Sequence, residues 1–123
     1  MTLSITRDDV RSWSPCAAGT DSFIESCFGT RDTLNFRQLC EISHLNDEHL
    51  LWTVLRPQVI SPEILEQIRG AFLILIGSTH RHYDDWKDLS AVDLIGKVVR
   101  AHPNQSPEQT YRDMVAIVRL LNE

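Results

Sequence analysis

The sequence predicts an all-α fold, a compact single domain over residues 1–123 made of about six to seven short helices. Three observations predict it. Helix-start signals recur along the chain, and apolar residues follow them at spacings of three and four. Neither a long linker nor an internal repeat interrupts that pattern.

The elements follow in order. Thr6-Arg-Asp-Asp9 fits a capping box and opens a short helix carrying Val10 and Trp13. Ser14-Pro15 places a cap residue before a proline at the first helical position, where its missing N–H costs nothing. Ala17, Phe23, Ile24, Cys27 and Phe28 then mark one face of a second helix, weakened by Gly19 and stopped by Gly29. A third helix is expected over Leu34 to Leu45, with Phe36, Leu39 and Cys40 inward.

Asn46-Asp47-Glu48-His49 starts a fourth helix, apolar at Leu50, Leu51, Val54 and Leu55, with Trp52 on a flanking face. It finishes near Arg56, because Pro57 disfavours helical geometry in the residue before it. Ser61-Pro62-Glu63 leads into Ile64, Leu65, Ile68, Phe72 and Leu75. Between Gly70 and Gly77 the apolar residues run unbroken, which suits either a buried strand or a central helix covered on every side. The helix is preferred, since no second strand of similar quality exists and a lone strand cannot satisfy its backbone. Ser90 to Asp93 caps a helix with Val92, Ile95, Val98 and Val99 inward, ended by His102-Pro103. Ser106-Pro107-Glu108-Gln109 opens the last, striped by Tyr111, Met114, Val115, Val118 and Leu121.

Composition narrows the function classes. Apolar residues make up 42% and charged ones 24%, which is ordinary for a globular chain. The net charge is −5 and is spread along the chain rather than blocked. With no basic stripe there is no electrostatic footprint for a nucleic-acid backbone, so direct nucleic-acid binding is not expected. The run Ala71–Ile76 is too short to span a bilayer. Three cysteines, Cys16, Cys27 and Cys40, fit neither a CxxC pair nor a zinc knuckle and read as buried free thiols. The N-terminal MTLSITRDD carries no secretion-like pattern, and the expected location is cytoplasmic.

His80-Arg-His-Tyr-Asp-Asp-Trp86 has the greatest density of chemistry-bearing side chains. On a helix, His80 and His82 diverge by about 200 degrees. On an extended segment they share a face with Asp84, and His-x-His-x-Asp could bind zinc or manganese. The competing reading is a solvated connection whose carboxylates precede a helix, and it is favoured because no further ligands complete a shell. His44, Glu48 and His49 do not reproduce the HExxH pattern and read as surface or structural groups. Cys16 near a helix start has no histidine placed beside it by sequence. GTRD at 29–32 and GSTH at 77–80 lack the phosphate-loop fingerprint. No cofactor and no resident metal are therefore expected. Large rings beside polar groups remain. Trp13 and Trp52 read as core, whereas Tyr83 and Trp86 among Asp84, Asp85 and Asp88 form an acid-rimmed aromatic pair suited to a basic protein partner.

The order ITRDDVRSWSPCAAGTDSFIESCFG, followed later by HLLWTVLR, resembles a small helical module of phage and prophage-type proteins of uncharacterised family. Ser14, Pro15, Cys16 and Gly19 match its turn; Leu50, Leu51 and Trp52 match its later helix, with His49 where that pattern has a tryptophan. The resemblance implies a mobile-element origin and assigns no catalytic residue. Together with the acidic charge it implies a non-enzymatic inhibitor that occludes a basic, nucleic-acid-binding surface of a host defence or rival complex. The partner-binding residues are then Tyr83, Asp84, Asp85, Trp86 and Asp88. The alternatives are an immunity or scaffold protein that forms a homodimer or larger homo-oligomer, and a small metal-dependent enzyme using His80 and His82.

Overall fold

The computed structural model describes residues 3–12, 21–43 and 45–122, with residues 21–23 described by their backbone alone. Thr6 and Asp9 cap each other as their spacing predicts. The Thr6 N–H donates to Asp9 Oδ2 at 2.9 Å, and the Asp9 N–H donates to Thr6 Oγ1 at 3.2 Å. They open α1 (Arg7–Ser12), whose Val10 is buried. The next helix, α2 (Asp21–Phe28), stops at Gly29, where φ is +60° and a side chain would be strained. The expected helix start at Ser14-Pro15, together with Trp13, Cys16, Ala17 and Gly19, lies outside the described residues, as does His44.

Two short strands depart from the expectation of helices alone. β1 (Ser4–Thr6) pairs antiparallel with β2 (Thr33–Asn35), with Ile5 opposite Leu34. Both of those side chains are wholly buried. Each strand satisfies the other's backbone, which removes the objection to a lone strand. The third helix is consequently shorter than the expected 34–45. Leu34 belongs to β2, and α3 spans only Phe36–Cys40. Asn35 ends the strand and caps that helix: its Oδ1 accepts the Gln38 N–H at 2.8 Å, and Gln38 Oε1 accepts the Asn35 N–H at 2.9 Å.

The C-terminal two thirds follow the sequence more closely. α4 (Asp47–Val54) is capped by Asn46 Oδ1, which accepts the His49 N–H at 2.8 Å. α5 (Pro62–Ile76) begins with its proline at the first turn, and the ambiguous apolar run is helical. It is not covered on every side: Ile68, Phe72 and Ile76 are buried, while Ile74 is 81% exposed. After the single-turn α6 (Tyr83–Trp86) come α7 (Ala91–Ala101) and α8 (Pro107–Leu121), capped by Ser90 and Ser106. The inward face of α7 runs through Ala91, Leu94, Ile95 and Val98, with Val92 and Val99 only half-buried. The expected face was thus displaced by about one residue, because Leu94 sits a helical turn before Val98.

These elements form a compact, mostly helical single-domain bundle with eight helical segments among the described residues. α5 packs chiefly against α7 and α8, and α4 lies against α8. One core joins them, with Leu51, Ile60, Ile68, Phe72, Leu94, Val98 and Met114 at its centre. Among the described residues, no helix is long and apolar enough to cross a membrane.

α5 contains one glycine and ends at another, and the two should respond in opposite ways. A Cβ at Gly70 or at Gly77 would meet nothing within 4 Å, so backbone conformation decides. Gly70 is inside the helix, and Gly70→Ala should stabilise the protein by about 0.5–1 kcal/mol. Gly77 has φ +91° and ψ 133°, a region that side chains avoid. Gly77→Ala should therefore cost about 1–3 kcal/mol. Urea unfolding midpoints check both, and equal shifts of one sign would refute the conformational argument.

Candidate functional site

α5 ends at Ile76, Gly77 turns the chain, and a compact connection carries it to α6. The His80 N–H donates to the Gly77 carbonyl at 3.0 Å, and the Tyr83 N–H donates to the His80 carbonyl at 3.0 Å. Only residues 83–86 are helical, a single turn on which Tyr83 and Trp86 stand three positions apart and share a face. Tyr83 and Trp86 are half-buried and pack against the core. Asp84, Asp85 and Asp88 are exposed. The five expected partner-binding residues thus form a ledge whose rings face inward and whose carboxylates face water.

Trp86 is surrounded by positive or protonatable groups. The His80 ring stacks on it with centroids 5.1 Å apart and planes at 29°. His82 lies at 5.1 Å and 30°. Lys97, from α7, places Nζ 5.5 Å from the centroid of the indole, within reach of a cation–π interaction. The two imidazoles are 5.8 Å apart. Neither Lys97 nor this bracketing by histidines is legible from the heptapeptide, because α7 is brought there only by packing against α5.

Arg69 fixes the far end of the ledge. It pairs with Glu66 one turn earlier on α5, at 2.6 Å, and donates to the Lys87 carbonyl just after α6. The hydrogen bond to Arg69 holds the Glu66 carboxyl below its usual range, and the same bond raises the guanidinium pKa. Around the acids, Lys87 Nζ lies 3.5 Å from Asp84 Oδ1, and His82 Nδ1 lies 3.6 Å from Asp85 Oδ2. Asp84 and Asp85 nevertheless keep 90% and 76% of their side-chain surface open to solvent, so these contacts are weak and screened.

The metal alternative meets a specific geometry. His80 Nδ1 accepts the His82 backbone N–H at 3.1 Å, which occupies one of its two possible ligand nitrogens. Among the described residues, no group of three or more His, Cys, Asp and Glu side chains is arranged to hold a metal ion. Of the His44, Glu48 and His49 set, His44 lies outside the described residues, and the His49 N–H is used in capping α4.

Elsewhere, Cys27, Cys40 and Trp52 pack against the core. Cys27 and Cys40 are half-buried rather than fully buried. Burial pushes both thiols above their ordinary pKa, at Cys40 against the opposing pull of Arg119. Both therefore hold less thiolate at neutral pH than a free cysteine does. Cys40, Phe36, Leu50, Val115 and Arg119 line a shallow apolar gap too narrow for a water molecule. Trp52 packs against the core with Arg56 Cζ 4.6 Å from its ring centroid. Desolvation lowers the Arg56 pKa, as expected of a cation lodged beside an apolar ring.

Neither a protein-family model, nor a curated protein, nor a solved structure matches the chain.

Proposed function

We propose that this chain is a non-enzymatic, protein-binding inhibitor of mobile-element type that covers a basic, nucleic-acid-binding surface of a defence or rival complex. The observation that carries this reading is the construction of the α6 ledge. Asp84, Asp85 and Asp88 project into water from a turn whose Tyr83 and Trp86 are anchored in the core. Carboxylates on a braced turn lose little conformational freedom when a cationic partner docks. Their uniform sign steers encounter with a basic surface, and the overall charge of −5 acts in the same direction.

Asp84→Asn, Asp85→Asn and Asp88→Asn combined should weaken capture of a basic partner by at least about tenfold, with the loss entering mainly through slower association. The triple variant should retain the wild-type unfolding midpoint, since all three side chains are exposed. Native capture at two salt concentrations, followed by association kinetics on the recovered partner, makes the measurement. Recovered partners that lack a basic surface, or binding that ignores salt, would refute occlusion.

The homo-oligomer alternative has one specific observation in its favour. Ile74 and Leu120 are 81% and 74% exposed on the two longest helices. Burial of such side chains between copies would make a monomer in dilute sizing experiments the decisive contrary result.

A further inference from the structure

We infer that residues 80–86 form a pH-sensitive latch: the neutral His80 ring holds Trp86 in place, and protonation of that ring releases it. The His80 Nδ1 accepts the backbone N–H of His82 at 3.1 Å. A nitrogen that accepts carries no proton, so the contact requires neutral imidazole with its hydrogen on Nε2. The same ring orientation lays His80 against the indole of Trp86. A proton added at Nδ1 would set two N–H donors against each other, which breaks the hydrogen bond that orients the ring on the indole.

The surroundings reinforce that outcome. His82 lies on Trp86 as well, 5.8 Å from His80, and Lys97 of α7 reaches over the same indole. Charging both imidazoles would gather three cations around one ring. A cation–π attraction opposes the release, but Lys97 already supplies a cation there, and a further one brings like-charge repulsion. Protonated His82 has a partner of its own in Asp85, 3.6 Å away, whereas no carboxylate contact accompanies the His80 ring among the described residues. Other charged side chains on the adjoining segments are Arg81 in the connection itself, Arg69 of α5, with Glu66 and Asp88 near it, and the Asp84–Lys87 pair. Carboxylates, ammonium and guanidinium groups as classes keep their charge through the range where imidazoles change theirs. His80 is therefore the group whose charge state and hydrogen bond are mutually exclusive.

For partner binding, the consequence rests on the proposed function: acidification would unbrace the ledge that presents Asp84, Asp85 and Asp88. The latch itself can be tested without any partner. Nuclear Overhauser contacts between the His80 and Trp86 rings, in the full chain, should be present at about pH 7.5 and lost at about pH 5. Contacts within the core, such as those of Phe72, should persist at both. His80→Asn supplies an acceptor oxygen close to the position of Nδ1 but cannot titrate. In that variant the contacts of the Trp86 ring with the core should stay unchanged across the same range. His80–Trp86 ring contacts that survive acidification in the wild type or are missing at the higher pH, or Trp86–core contacts that still change with pH in His80→Asn, would each overturn the latch. Failure of the basic-partner experiment would leave these contacts unaffected, so the two readings fail separately.

Discussion

Phe72→Ala should lower the free energy of unfolding by about 3–5 kcal/mol, among the largest effects of any single truncation in this chain. Phe72 has no solvent exposure and is the largest of the fully buried side chains among the described residues. It sits at the middle of the buried stripe Ile68–Phe72–Ile76, on the side of α5 that meets α7 and α8. Removing the ring forfeits its transfer free energy and leaves a cavity that three helices cannot all close upon. A chain of 123 residues has a total stability of about 6–18 kcal/mol by the usual per-residue range. The substitution thus removes a large share of it, and a graded control is needed. Ile68→Val, on the same stripe, should cost only about 0.5–1.5 kcal/mol. Urea unfolding of both proteins provides the measurement; a Phe72→Ala loss below that of Ile68→Val would show that the ring is not where the bundle is joined.

That stripe was legible in the sequence because α5 is long enough for its period to repeat, and because Ser61-Pro62 fixes where it begins. The same holds for α7 and α8, whose cap residues stand where the structure uses them. Legibility falls where elements are short. β1 and β2 have three residues each, too few for an alternation to be distinguished from chance. Their pairing also depends on a contact between Ile5 and Leu34, which lie 29 positions apart and are joined only by folding. Phe36, Leu39 and Cys40 follow Leu34 at helical spacings, which draws Leu34 into the expected helix, whereas Asn35 is the cap that separates them. Continuous apolar sequence misled in a different way. Ala71–Ile76 contains no polar residue to mark an outer face, yet Ile74 is the outer face.

At the candidate site, the sequence supplied the residues without their relations. A cluster of His, Tyr, Asp and Trp can be read from seven consecutive letters. The stacking of His80 on Trp86 cannot, because it depends on a turn in which the His80 N–H donates to the Gly77 carbonyl and the Tyr83 N–H to the His80 carbonyl. Arg69 and Lys97 come from helices on either side, and no local pattern places either beside α6. The rings were expected as an outward pair; half-burial of both makes them the foundation of the ledge, and leaves the carboxylates as its outward chemistry.

Arg7→Lys should destabilise the N-terminal part of the fold by about 1–2 kcal/mol, although charge is conserved, because a guanidinium makes several directed bonds and an ammonium cannot copy them. Arg7 Nη1 donates to the Arg31 carbonyl at 2.9 Å, and Nη2 donates to the Gly29 carbonyl at 3.0 Å. Its Nε lies 2.9 Å from Glu25 Oε1, and its Cζ lies 4.9 Å from the ring centroid of Phe28. One side chain, 22% exposed, therefore joins α1 to the end of α2 and the turn that leads into β2. The position also supplies what α2 lacks. No basic residue stands in the last turn of α2, and its unsatisfied carbonyls carry the negative end of the helix dipole. Lysine can reach one carbonyl or Glu25, leaving the other groups to water, and it loses the flat face that lies over Phe28. Arg11 also approaches Glu25, at 3.3 Å, so the carboxylate keeps a partner and the loss falls on the two carbonyls. Amide exchange should accelerate selectively in residues 4–6 and 33–35, while α5, α7 and α8 keep their protection. Uniform acceleration across the chain would mean that Arg7 stabilises the protein only globally. No change at all would mean that its bonds merely replace equivalent ones to solvent.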